Sequence, residues 1–124
     1  PGVKANGEAA ITENIADLGG TEIAYQAYLN RLKADGFNGD QLKLQKQRFF
    51  RGYSDEYRSK YGKEFVNQIA FGIKPDGSKV NPDAHSLNKE RVNGVVSNMD
   101  GWYDAFDIKE GALFRAPADR IHIW

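Results

Sequence analysis

Two acidic side chains near the start of the chain have a spacing that allows them to share a metal site. Glu13 and Asp17 lie in the stretch 12–20, which reads Thr-Glu-Asn-Ile-Ala-Asp-Leu-Gly-Gly. Residues four apart lie on the same face of a helix, so we expect both carboxylates to point the same way, towards an open surface. One acid can then bind a metal ion while the other orients a neighbouring ligand. The alternative is an ordinary helix N-terminus, where the helix dipole favours acidic residues.

A second candidate group surrounds His85. This histidine follows a proline turn, with Asp83 two residues before it and Arg91 six residues after it. A nearby carboxylate holds a histidine ring in one orientation and favours its charged form. Such a histidine is suited to stabilising an oxyanion, and the planar guanidinium of an arginine is suited to holding a peptide carbonyl. The other histidine, His122, lies in the apolar tail and is interpreted as structural or exposed.

Helices must position these groups, and the hydrophobic periodicity predicts four of them. Helix one begins near Thr12, a typical N-cap residue, and ends at the turn formed by Asp35 and Gly36. Helix two carries an aromatic residue at every fourth position and is ended by Gly62. The approximate bounds of helices two, three and four are 40–61, 63–71 and 99–106.

The remaining segments are predicted to be loops or short extended pieces. Residues 91–96 read as a short extended piece, and the alternating tail at 121–124 as an edge strand. Gly19 and Gly20 interrupt helix one, which suggests a kink or a closely passing backbone. The predicted fold is therefore mainly α, with little sheet. The apolar positions assigned to helix one are Ile15, Ala16, Ile23, Ala24, Ala27, Tyr28 and Leu32.

Composition limits the classes of partner. The chain of 124 residues suits one domain or one lobe of a larger domain, and its formal net charge is +0. No basic surface indicates nucleic acid, and no apolar run approaches the roughly 20 residues that span a bilayer. Cysteine is absent, which excludes disulfides and thiolate metal sites. The start at Pro1 has neither an initiator methionine nor a signal-peptide pattern, so we expect a fragment.

Several strings of residues together carry a resemblance to a known family. They are Glu-Asn-Ile-Ala-Asp with Gly-Gly close behind, Asp-x-His-Ser at 83–86, and Asn-x-x-Arg-Val-Asn-Gly at 88–94. The stretch 103–106, the Lys-Glu-Gly turn at 109–111 and the final Trp124 also match. In order and over essentially the whole chain, these strings resemble the neprilysin-type zinc metallopeptidases, the family of neprilysin and endothelin-converting enzyme.

The resemblance implies a role for each candidate residue. Glu13 matches the third protein ligand of the zinc ion, and Asp17 matches the aspartate that hydrogen-bonds one of the zinc-bound histidines. His85 matches the histidine that stabilises the oxyanion of the tetrahedral intermediate. Asp83 matches the acid that positions that histidine, and Arg91 matches the arginine that grips a carbonyl of the substrate backbone.

Two departures from the family pattern define what the chain lacks. The motif His-Glu-x-x-His, which supplies two zinc ligands and the general base, is absent, as is the upstream edge strand that pairs with the substrate. Residues 1–124 therefore resemble only the C-terminal helical lobe of a thermolysin-like catalytic domain. The lack of cysteine indicates a bacterial member, for which a periplasmic or secreted location is favoured over the cytoplasm.

The resemblance predicts a C-terminal fragment of a zinc-dependent metalloendopeptidase that hydrolyses oligopeptides. Its partners are then peptide substrates and the missing N-terminal part of the catalytic domain. With one zinc ligand of three, the fragment alone is expected to be inactive. It is also expected to self-associate through the face bearing Ile15, Ala16 and Gly19. The alternative is a non-catalytic helical interaction module or a pseudo-enzyme derived from the same family.

Overall fold

A computed structural model of the chain describes residues 8, 10–79 and 85–123. Over these residues the regular structure is helical, and the β-structure is limited to one isolated antiparallel bridge between Ile73 and Lys79. The predicted mainly α fold is confirmed. The helices are α1 (Ile11–Ala34), α2 (Gly39–Glu56), α3 (Lys63–Phe71), α4 (Asn88–Val96) and α5 (Asp100–Phe106), followed by a 3-10 turn at Pro117–Asp119.

The hydrophobic core lies where α1, α2, α4 and α5 meet. Tyr25 of α1 packs at its centre, with its ring centroid 5.0 Å from that of Phe49 and 4.9 Å from that of Phe50. Gly101 lets α5 approach closely, because a Cβ atom there would lie 2.2 Å from the Tyr25 ring. The aromatic packing therefore depends on a position without a side chain. The buried core residues are Leu18, Tyr25, Phe50, Val95, Val96, Met99 and Ala105.

Helix α1 is continuous through both of its glycines, and its buried face includes Leu32, as predicted, but otherwise differs from the predicted one. Ile15 and Ile23 are 49% and 58% exposed, whereas Leu18 and Tyr25 are buried. The helix is oriented so that the ring of Tyr25 and the leucines are buried, and the face that carries Ile15 and Ile23 is exposed to solvent. The expectation of an open face is met for Ile15, but Gly19 is buried.

The predicted end of helix two was wrong. Helix α2 ends at Glu56, and Tyr57 is its C-cap residue. The side-chain amide of Asn88 donates to the carbonyl of Tyr57 at 3.0 Å and to the hydroxyl of Ser59 at 2.8 Å. These hydrogen bonds occupy the carbonyl of Tyr57 and the hydroxyl of Ser59 outside the helix. The aromatic repeat therefore continues to Tyr61 although the backbone beyond Glu56 is not helical. Gly62 is the N-cap of α3 and does not end α2.

The extended piece predicted at 91–96 is also wrong, since these residues belong to α4. Val92 and Val96 lie one helical turn apart and pack with Val95 against the core, so burial outweighs the strand preference of valine. The tail does not form the predicted strand at 121–123, where the described chain offers no sheet to join. Instead, the backbone N–H of Ile121 donates to Oδ1 of Asn98 at 2.9 Å.

In the described part of the chain, no helix combines the length and the apolar character that crossing a bilayer requires. The structure beyond the helices consists of turns and irregular segments. Helices α1 and α4 pack against each other, and this packing brings together the candidate residues of the two sequence segments.

Candidate active site

The first contact of the site joins the start of α1 to the loop before α4. Oε2 of Glu13 lies 3.2 Å from Nε2 of His85, and the two side chains are 40% and 48% exposed. A carboxylate at this distance holds the imidazole ring in one orientation. The structure thus brings the predicted zinc ligand beside the predicted oxyanion-stabilising residue. The predicted positioning acid, Asp83, lies outside the described residues.

The second contact is a two-bonded ion pair between α1 and α4. Nε of Arg91 donates to Oδ2 of Asp17 at 2.7 Å, and Nη2 donates to Oδ1 at 2.6 Å. The side chains of Arg91 and Asp17 are only 20% and 13% exposed. The hydrogen bonds to Asp17 raise the pKa of the Arg91 guanidinium. This geometry is the planar, parallel arrangement that an arginine makes best with a carboxylate.

Two tyrosines of the α2 end support Arg91. The ring of Tyr57 lies 4.9 Å from the guanidinium carbon, within the distance of a cation–π contact. The hydroxyl of Tyr53 donates to the main-chain carbonyl of Arg91 at 3.2 Å. Burial raises the pKa of Tyr53 to about 12, because it disfavours the phenolate. The ion pair is therefore surrounded by protein on the side of α2.

A hydrogen bond between Ser86 and Asn14 adds a third link, which sequence reasoning did not single out. Oγ of Ser86 donates to Oδ1 of Asn14 at 2.9 Å. Each residue follows a predicted site residue directly, Asn14 after Glu13 and Ser86 after His85. Both also occur in the strings that carry the family resemblance, which is the signal that would have identified them.

Glu13 and Asp17 lie on the same side of α1, as their spacing predicts, but only Glu13 remains open. The carboxylate of Asp17 is covered by the guanidinium of Arg91. The expectation that both acids face an open surface was therefore wrong for Asp17. The physical reason is that a half-buried carboxylate needs a charged partner, and α4 supplies one.

Two cavities flank Arg91. A small cavity of about 200 Å³ lies between Arg91, His85 and the aromatic residues Tyr61 and Phe65. It is smaller than the roughly 300–1,000 Å³ of typical sites for small ligands. On the other side of Arg91 a groove of about 560 Å³ runs between α1, α4 and the tail. Its apolar lining consists of Ile11, Ile15, Leu18, Val95, Ile121 and Ile123. His122 is exposed and lines a different cavity.

The described residues fit a zinc ion only in part. Among them, no three side chains of His, Asp or Glu gather at one point, and the chain has no cysteine. Catalytic zinc sites use three protein ligands and structural sites use four. The exposed carboxylate of Glu13 is a suitable oxygen ligand for one of these positions, but further ligands must come from elsewhere.

Comparison with known proteins identifies the family. The profile of peptidase family M13 matches residues 2–121. The chain is 33% identical over 121 residues to the neutral endopeptidase of Lactococcus lactis subsp. cremoris, and the alignment covers 97% of this chain and 16% of the relative. It is 35% identical over 123 residues to membrane metallo-endopeptidase-like 1 of Mus musculus, covering 96% of this chain and 14% of the relative. Neprilysin of Mus musculus is 30% identical over 130 residues, or 99% of this chain and 15% of the relative.

These matches cover nearly the whole chain but a small part of each relative. The chain spans about 16% of the length of the bacterial relatives that it matches. No solved structure matches it significantly. The matched segment contains both pairs of site residues, Glu13 with His85 and Asp17 with Arg91. The family match and the relatives agree, and the chain belongs to peptidase family M13.

Proposed function

We propose that this chain is the C-terminal part of a zinc-dependent metalloendopeptidase that hydrolyses peptide bonds of oligopeptides. Its membership of peptidase family M13 supports a peptidase function. The observation that carries the finer proposal is the meeting of two distant segments at one surface. Glu13 contacts His85, and Asp17 pairs with Arg91 across a separation of 74 residues.

The proposed metal role belongs to Glu13. Its carboxylate would provide one ligand, and the missing N-terminal part of the catalytic domain would provide the other two. Zinc, when bound, polarises the scissile carbonyl and lowers the pKa of a bound water. Asp17 would orient one of the histidine ligands from the missing part. Each carboxylate oxygen has two acceptor positions, so Asp17 can accept this bond while it remains paired with Arg91.

The proposed substrate roles belong to His85 and Arg91. His85, which contacts the carboxylate of Glu13, would donate a hydrogen bond to the oxyanion that develops during peptide hydrolysis. Arg91 uses only Nε and Nη2 for Asp17, so further N–H groups remain for a substrate carbonyl. Asp83 would position the ring of His85, as the family resemblance implies. The chain alone would be inactive, because it holds one zinc ligand of three.

The lack of cysteine supports a bacterial enzyme, and for it we propose a periplasmic or secreted location. A second candidate function is a non-catalytic helical module or a pseudo-enzyme of the same family. The contacts favour this alternative, because Asp17 and Arg91 already compensate each other's charge within the chain and Glu13 contacts His85. Such pairs hold helices together without any chemistry. The two candidates differ in whether His85 affects peptide hydrolysis.

The experiment compares the two histidines in the longer peptidase that we propose contains this chain. Substituting His85→Leu removes the proposed donor, and kcat for peptide hydrolysis should fall roughly 100- to 1,000-fold, as for loss of one oxyanion donor. The matched control is His122→Leu, which changes the exposed histidine at the other cavity. Equal activity of the two variants would contradict the catalytic proposal, and a zinc-loaded parent without activity would favour the pseudo-enzyme.

A further inference from the structure

The guanidinium of Arg91 is held on one edge and on one face. Its Nε and Nη2 edge is bound to Asp17 at 2.7 and 2.6 Å. One face meets the ring of Tyr57 at 4.9 Å. Among the described residues, Nη1 has no hydrogen-bond acceptor. The contacts therefore leave one donor group of this side chain for another molecule, next to the cavity shared with His85.

The ion pair with Asp17 fixes the edge of the guanidinium but not its tilt. Two parallel hydrogen bonds form a hinge, about which the plane of the guanidinium can rotate while both bonds persist. A flat aromatic surface against the guanidinium restricts that rotation, since cation and ring attract each other over a limited range of positions. The direction of the Nη1 hydrogens then depends on the ring.

Tyr57 is itself held from several sides. Its carbonyl accepts the amide of Asn88 at 3.0 Å, and Asn88 begins the helix that carries Arg91. The ring packs edge-on against Tyr53, with centroids 5.3 Å apart, and the hydroxyl of Tyr53 binds the carbonyl of Arg91. Ring and arginine are therefore tied to the same piece of backbone. The early end of α2 at Glu56 makes this placement possible.

We propose that Tyr57 is a positioning residue for Arg91, which keeps the guanidinium plane oriented so that Nη1 meets a substrate carbonyl. This inference rests on the proposed substrate role of Arg91. Tyr57 acts through Arg91, and its ring supplies the contact while its hydroxyl is dispensable. The position accordingly requires an aromatic residue, and it tolerates phenylalanine and tryptophan.

The test measures KM and kcat for peptide hydrolysis in the longer peptidase that contains this chain. Tyr57→Leu removes the ring, and KM should rise about 2- to 30-fold, the factor that corresponds to one cation–π contact. kcat should stay near the parent value, because the lost contact acts on binding. Tyr57→Phe keeps the ring and should restore the parent KM. The matched control is Tyr28→Leu, which removes a half-buried ring that stacks on Phe49.

The outcomes separate this inference from the proposal that it rests on. If Arg91→Leu leaves KM unchanged, the substrate role of Arg91 is wrong. If Arg91→Leu raises KM but Tyr57→Leu does not, only the positioning role is wrong. A Tyr57→Leu variant with unchanged KM and a smaller active fraction has lost stability alone, which also overturns the inference.

A graded series keeps the inference testable if Tyr57→Leu does not fold. The variants Tyr57→Trp, Tyr57→Phe and Tyr57→His each retain a ring at the position. Cation–π attraction is strongest for tryptophan, so KM should be lowest for the tryptophan variant and highest for the histidine variant. Equal KM values across the three folded variants would overturn the positioning role of the ring.

Discussion

Substituting Asp17→Ala should destabilise the chain far more than removing an exposed carboxylate. An exposed ion pair contributes about 0.2–1 kcal/mol, whereas breaking a buried pair by removing one partner costs about 3–5 kcal/mol. The side chains of Asp17 and Arg91 are 13% and 20% exposed, which lies between these limits but nearer the buried one. We therefore expect a loss of about 2–3 kcal/mol in the free energy of unfolding. Most of it reflects an arginine left half-buried without its partner.

The assay is urea unfolding of the 124-residue chain, followed by circular dichroism. The midpoint should shift while the slope stays constant, as expected for a change in stability alone. The double variant Asp17→Ala with Arg91→Leu should be more stable than the sum of the two single losses predicts, because it leaves no unpaired charge. The control is Asp35→Ala, which removes the exposed partner of Arg31 and should leave the midpoint nearly unchanged. Equal small shifts for Asp17→Ala and Asp35→Ala, with additive double-variant losses, would refute the reasoning.

Three further predictions concern packing, pH and association. Gly101→Ala should lower the free energy of unfolding by about 1–3 kcal/mol, because its Cβ would meet the ring of Tyr25. Gly20→Ala has open space around it and should stabilise α1 by up to about 1 kcal/mol, and thermal unfolding that ranks the two variants the other way would contradict this packing. Burial raises the pKa of Tyr25 and of Tyr53 to about 12, above the ordinary value of 10.0, so the native state keeps protons that the unfolded state releases. Stability should be complete below pH 10 and fall as the pH rises from about 10 to 12, and Tyr53→Phe should flatten that fall in urea midpoints measured across this range. The isolated chain should self-associate weakly through the exposed α1 face, and Ile15→Lys should abolish the association in sedimentation. Salt should change the association little, because Asp17 is paired with Arg91 and Glu13 contacts His85; strong tightening by salt would show that like charges oppose it.

Local signals explain which helices could be predicted from the sequence. The bounds of α3 were predicted as Lys63–Phe71 and are observed there, because glycines precede and follow the helix. Gly72 has a φ of 63°, the left-handed conformation that commonly ends helices. Helix α4 was missed because valine, asparagine and glycine have weak helix propensity. Its helical conformation depends on packing against α1, which the local sequence does not show. The end of α2 was missed because the bond from Asn88 comes from a distant segment.

The candidate site was also predictable only in part from the sequence. The spacing of Glu13 and Asp17 within one helix is a local property, so the sequence could place both acids on one side. Their contacts with His85 and Arg91 depend on how α1 packs against α4, and no local pattern contains that information. The family resemblance selected these residues but did not predict that Arg91 covers Asp17. The role of Asp83 stays a prediction, because this residue lies outside the described part of the chain.

The most direct test of the proposed function is the zinc affinity of the proposed longer peptidase carrying Glu13→Gln. A lost protein ligand should weaken zinc binding by more than the roughly 10- to 100-fold that follows loss of an outer partner, and Asp17→Asn should fall within that smaller range. The control Glu56→Gln changes an exposed glutamate at the end of α2 and should bind zinc like the parent. Zinc content after dialysis against graded chelator measures all three variants. We predict that Glu13→Gln loses its zinc at the lowest chelator concentration, and full retention of zinc by this variant would contradict the assignment of Glu13 as a ligand.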